Sequence, residues 1–110
     1  MSDELNEVEQ LILLAIVRLA DEAYGVPVRS AIEERAGRSV SLAAVYAALE
    51  RMEARGHVAS WLSDPLPERG GRARKHFRLT AAGARALRES REEMARMWDG
   101  LEGHPDLEVS

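Results

Sequence analysis

The sequence predicts a mainly α-helical domain with one small β-hairpin and a further helix at its C-terminal end. Three observations predict this. Apolar residues recur at helical intervals in three segments before Gly56, the period then switches to alternation in two short stretches around a Pro- and Gly-rich loop, and a helical period returns after Thr80. A chain of 110 residues, 45% of them apolar, supports one compact core and is too short for two ordinary domains.

Asn6 with Glu9 forms a capping-box pair, and Val8, Ile12, Ile16 and Leu19 follow at helical spacing to about Ala20. Leu11, Leu14 and Val17 fill a second face of this helix, which therefore needs cover on two sides. A partner chain is a candidate for one of them. Tyr24-Gly25 breaks the pattern. Pro27 suits a first helical turn, and Val28, Ala31, Ile32 and Arg35 carry a short helix to its stop at Gly37. After Arg38-Ser39-Val40, Ser41 is a good N-cap for a third helix, in which Leu42, Val45, Leu49 and Met52 repeat at intervals of three, four and three.

From His57 to Ser63, Val58, Ser60 and Leu62 alternate with His57, Ala59 and Trp61, as in a strand. Asp64 to Gly71 is a loop, and Arg74 to Leu79 alternates again, giving an antiparallel pair with a basic tip. Thr80 caps the last helix, where Leu87, Met94 and Leu101 recur every seven residues, with Arg91 and Trp98 at the intervening steps. The expected organisation is a winged helix-turn-helix over residues 1–80, a dimerisation helix over 81–102 and a flexible tail over 103–110.

Charge and composition narrow the function. There are no cysteines, which excludes disulfides and thiolate chemistry and fits a cytoplasmic protein. The longest apolar run, Leu11 to Val17, is too short to span a bilayer, so no membrane partner is expected. A net charge of −4 by itself argues against a phosphate-bearing partner. The distribution reverses that argument: Arg69, Arg72, Arg74, Lys75, Arg78, Arg85 and Arg88 stand together without an acid, while Asp3, Glu4, Glu7 and Glu9 crowd the start. His57 and His76 are candidates to oppose each other across the strands, but no carboxylate or third histidine is placed to complete a metal site, and a structural role is the favoured reading. No nucleophile triad, paired-carboxylate cleft or phosphate-binding glycine motif is present, so neither an enzyme nor a cofactor is expected.

Helix, helix, tight turn, helix and hairpin is the order in which a third helix enters the major groove of DNA. Three blocks resemble the phenolic-acid-decarboxylase repressor (PadR-like) family of winged helix-turn-helix transcriptional regulators. They are Tyr24-Gly25, the run Val45-Tyr46-Ala47-Ala48-Leu49-Glu50-Arg51-Met52-Glu53-Ala54-Arg55-Gly56, and the run from Gly70-Gly71-Arg72-Ala73-Arg74-Lys75 to Thr80-Ala81-Ala82-Gly83. The resemblance covers about Leu11 to Leu87 and implies a homodimeric repressor of the small-tail branch, whose last helix makes the dimer.

On the third helix, burying Leu42, Val45, Leu49 and Met52 turns Ala43, Ala44, Ala47, Ala48 and Arg51 outward. Such a face approaches base edges closely and meets thymine methyls, but it offers few bidentate hydrogen bonds. Ser41 and Tyr46 are candidate phosphate contacts, with partial core packing as the competing role for Tyr46. In the wing, Gly70 and Gly71 permit a tight turn, and Arg72, Arg74 and Lys75 suit phosphates or a narrow minor groove; the competing reading is a solvated hairpin whose charges block edge pairing.

Leu11, Leu14, Leu87, Met94, Trp98 and Leu101 are the expected dimer contacts, and Met94 and Trp98 are also candidates to stack a small aromatic effector. The principal expectation is a duplex DNA operator bound by a homodimer. The alternative is a winged-helix interaction module whose basic wing meets an acidic protein partner.

Overall fold

The computed structural model describes residues 4–63 and 74–108. Along the chain run α1 (Glu7–Leu19), a 3-10 turn (Ala20–Glu22), α2 (Gly25–Ala36), α3 (Leu42–Ala54), β1 (Val58–Leu62), β2 (Lys75–Leu79), α4 (Ala81–Trp98) and a second 3-10 turn (Pro105–Leu107). The expected mainly helical class with one hairpin is the observed one.

Side chains satisfy the free amides at three of the helix starts. At α1 the capping box closes in both directions: the Glu9 amide donates to Asn6 Oδ1 at 2.8 Å, and the Asn6 amide donates to Glu9 Oε1 at 2.9 Å. Ser41 Oγ accepts from the Ala44 amide at 3.0 Å, and Thr80 Oγ1 accepts from the Gly83 amide at 3.0 Å. Helix α2 has no side-chain cap, and Pro27 removes from its first turn an amide that would lack an intrahelical partner. It ends at Gly37, whose φ of 64° is the left-handed conformation that glycine adopts without strain.

The core gathers Ile12, Leu13 and Ile16 of α1, Val28 and Ile32 of α2, and Val45, Ala48, Leu49 and Met52 of α3, closed below by Val58 and Phe77 of the hairpin. Each large aliphatic side chain buried this way contributes roughly 1.5–3 kcal/mol, against about 0–1 kcal/mol for an exposed ion pair, so apolar burial sets how the helices pack. One expectation is corrected here. Ala48 does not face outward: it is 0% exposed, because it lies between Val45 and Met52 on the buried stripe, and its small side chain fits that stripe.

The strands pair antiparallel from Val58 opposite Leu79 to Leu62 opposite Lys75. This register corrects a second expectation. His76 lies opposite Trp61, while His57 precedes the first pair, so the two histidines do not face each other. Backbone bonds tie the hairpin to the helices: the Phe77 amide donates to the Ala23 carbonyl at 2.8 Å, the His57 amide to the Met52 carbonyl at 2.8 Å, and the Thr80 amide to the His57 carbonyl at 3.1 Å.

Helix α4 buries only Gly83 and Ala86, and every residue from Arg91 to Trp98 is exposed. The helix stops at Trp98 with Asp99 as its C-cap, so Leu101 lies beyond it rather than on its last turn. Gly100 at φ 82° turns the chain away from the helical path that the seven-residue spacing extrapolates. In the stretch expected to fray, Pro105–Leu107 form a 3-10 turn.

Gly83 is where α4 meets the foot of the hairpin, and a methyl group there would fall on the His57 carbonyl oxygen. In an open helix Gly→Ala stabilises by about 1 kcal/mol. At this contact the clash dominates, and Gly83→Ala is expected to destabilise by about 1–3 kcal/mol. Urea unfolding checks this: the midpoint falls, and an unchanged or raised midpoint contradicts the contact.

Candidate nucleic-acid interface

The face of α3 opposite the core is uncovered. Ser41, Ala43, Ala44, Tyr46, Ala47 and Arg51 are all exposed, so, with Ala48 excepted, the structure leaves the α3 residues expected to face DNA accessible. Small side chains leave a shallow surface there. Ala44 and Ala47 floor a concavity of about 440 Å³ with Asn6, Val8 and Arg51 around it. Tyr46 is 42% exposed and partly packed, its ring lying so close to Gly25 that a side chain at that position would collide with it. Gly25 thus lets α2 approach α3 at the tyrosine and holds the ring at the edge of the exposed face.

Two cations at this face were not picked out from the sequence as contacts. Arg38, in the connection before α3, borders the concavity and pairs with Glu7 at 3.3 Å. Arg55, just past the last turn of α3, reaches Glu9 at 3.8 Å and donates to the Glu4 carbonyl at 3.3 Å. Arg51 donates from Nε to Glu9 Oε2 at 3.3 Å. Proximity of the acidic start of α1 to the basic edge of α3 joins positions about forty residues apart, which hydrophobic periodicity does not report.

Of the wing residues, Gly70, Gly71 and Arg72 lie outside the described residues, and Arg74 and Lys75 stand at the hairpin's far end from α4. The Arg74 guanidinium donates to the Tyr24 hydroxyl at 3.1 Å and lies 4.9 Å from that ring's centroid. Tyr24 is also 5.2 Å from the His76 ring, which stacks on Trp61 at 5.2 Å and donates from Nδ1 to the Asp21 carbonyl at 2.8 Å. This aromatic stack braces the hairpin against the body of the molecule. Lys75 donates to Glu53 Oε1 at 3.1 Å, and the Ser60 hydroxyl donates to Glu53 Oε2. The Ser60 bond, followed by Lys75, holds the Glu53 carboxyl below the usual carboxylate range.

A second, apolar surface lies elsewhere. Leu14 of α1 and Met94 and Trp98 of α4 are about half exposed or more, and they line a groove of about 590 Å³. Leu87, partly buried against the chain's own core, also lines this groove, whereas Leu11, likewise partly buried, lines a separate concavity with Leu14, Arg18 and Ala31. Val17, on the face of α1 expected to need cover, is also exposed, as is Met97, which does not stand out as a contact from the sequence. Among the described residues, no group of three or more His, Cys, Asp or Glu side chains could hold a metal, and no helix is long and apolar enough to cross a membrane.

Comparison with known proteins gives this geometry a family. The model of the transcriptional regulator PadR-like family matches residues 13–89. Among solved structures, the chain is similar to a PadR family transcription regulator from Clostridium difficile, with a TM-score of 0.70, 25% identity, and coverage of 89% of this chain and 97% of that one. It is also similar to a transcriptional regulator from Clostridium thermocellum, with a TM-score of 0.70, 20% identity, and coverage of 89% and 92%. Over a smaller share, it is similar to Bacillus subtilis PadR in complex with operator DNA, with a TM-score of 0.65, 19% identity, and coverage of 76% of this chain and 47% of that one. No curated protein matches. The family match runs from within α1 through α3 and the hairpin into α4, and the chain belongs to the PadR-like family of transcriptional regulators.

Proposed function

We propose that this chain binds duplex DNA as a homodimeric transcriptional repressor, laying α3 in the major groove and the basic end of the hairpin along the backbone or the minor groove. The uncovered alanine face of α3, with Ser41 at its start and Arg51 at its edge, carries the reading. A helix enters a groove only if the side facing the bases is free and not too bulky, and here that side is built on Ala43, Ala44 and Ala47, with Tyr46, Glu50 and Arg51 beside them. The operator complex of Bacillus subtilis PadR supports the same use of this fold. Sequence discrimination then rests on thymine methyl contacts and groove shape more than on hydrogen bonds.

Binding to duplexes selected from a random pool, titrated over a range of salt, tests this reading. Arg72→Ala combined with Arg74→Ala is expected to weaken all duplexes about equally and to reduce the magnitude of the log–log salt slope by about 2, one for each phosphate that is no longer neutralised. An unchanged slope removes the wing from the interface. Failure to bind any duplex, together with binding to acidic protein partners, would favour the interaction-module alternative.

The homodimer rests on the apolar strip of Leu14, Met94 and Trp98, which a solvated monomer would leave in water. Sedimentation is expected to show dimers for the full chain and monomers after deletion of everything past Glu89. A full-length monomer at tens of micromolar, on the order of the weakest useful dimer affinity, contradicts it.

A further inference from the structure

Glu9 is a buried carboxylate, 2% exposed, in the first turn of α1. Its capping role uses one oxygen: Oε1 accepts from the Asn6 amide at 2.9 Å, a bond that a neutral glutamine would make equally well. The charge is directed at α3. Oε2 accepts from Arg51 Nε at 3.3 Å, and Oε1 lies 3.8 Å from Arg55 Nη1. Arg51 is the one cation in the sequence of α3 and, with Tyr46, one of two long donors on its exposed face, where the other α3 side chains lining the concavity are alanines. Its guanidinium is held by the inner edge, at Nε, with the side chain still 49% exposed.

We propose that Glu9 is a positioning residue for operator discrimination, holding Arg51 by Nε so that the terminal amino groups of the guanidinium are presented in one orientation along the α3 face. This rests on the DNA-binding reading above. A guanidinium held in this way loses less rotamer freedom when it meets a pair of acceptors on a base edge. The fixed carboxylate beside it also disfavours any register that brings a phosphate there, so it weakens non-specific binding more than specific binding. Both effects widen the ratio of operator affinity to random-duplex affinity.

The test uses the full chain as wild type, Glu9→Gln, Arg51→Ala and the double variant, with Glu34→Gln as a charge control on the exposed side of α2. Affinities are measured for a duplex selected with the wild type and for a random duplex. Glu9→Gln is expected to lower the operator-to-random ratio by about three- to tenfold, the scale of coupling between neighbours in one network. Arg51→Ala is expected to lower it similarly, the double variant no further, and Glu34→Gln not at all.

A folded Glu9→Gln with the wild-type ratio overturns the proposal, as do losses that add in full in the double variant. If Glu9→Gln does not fold, Arg51→Lys decides, because it keeps the charge but lacks the Nε that is held. A wild-type ratio in Arg51→Lys then overturns the proposal. A wild type that prefers no duplex ends the DNA-binding reading and this proposal together, whereas a selective wild type with an equally selective Glu9→Gln ends this proposal alone.

Discussion

Val45, Ala48, Leu49 and Met52 pack one side of α3 against α1, α2 and the hairpin without residual solvent access, and that burial decides what the opposite side can present. A helix has a fixed period, so choosing the buried stripe also chooses the exposed one. Rotating α3 by one residue would place Tyr46 in the core and put Val45 in water, at a cost on the order of the 1.5–3 kcal/mol that a buried aliphatic contributes, before any repacking. The core therefore sets the orientation of the face proposed to meet DNA. The capping bond from Ser41 and the backbone bonds from His57 and Phe77 fix the helix start and the hairpin relative to that same core.

Around this frame four described cations of α3, its preceding connection and the hairpin are tethered. Arg51 is held by Glu9, Arg38 by Glu7, Lys75 by Glu53 and Arg74 by Tyr24. The net charge of −4 gives the chain no general attraction to polyanions, and these four basic groups are each set beside an acid or an aromatic ring. The exposed pairs among them add little to stability. On the proposed reading, their effect lies in limiting where each positive group points and in reducing attraction to phosphate in general, which would favour contacts made in one register.

The parts legible in the sequence were those governed by local rules. The caps at Asn6, Ser41 and Thr80 and the stop at Gly37 follow from amides and carbonyls that need partners within a turn, and they stand where the side-chain chemistry placed them. What failed depended on three-dimensional packing or on extrapolating a period. Ala48 faces inward because a small residue between two core positions fits either side by size, and only the packing of the neighbouring helices settles it. His57 and His76 miss each other because register is set by which residues pair, not by alternation alone. Leu101 falls past the end of α4 because a seven-residue spacing does not see Gly100. The contact of Glu9 with Arg51 spans 42 positions, beyond any local pattern.

The central claim is that the outward face of α3 meets DNA, and the alanine methyl groups on that face report it directly. Methyl NMR spectra of alanine-labelled protein, recorded with and without a selected duplex, compare residues on three surfaces of the same chain. The account predicts the largest shifts at Ala43, Ala44 and Ala47, a smaller one at buried Ala48, and almost none at Ala95, which lies on the apolar groove of α4. Shifts concentrated at Ala95, with Ala43, Ala44 and Ala47 unmoved, would contradict it.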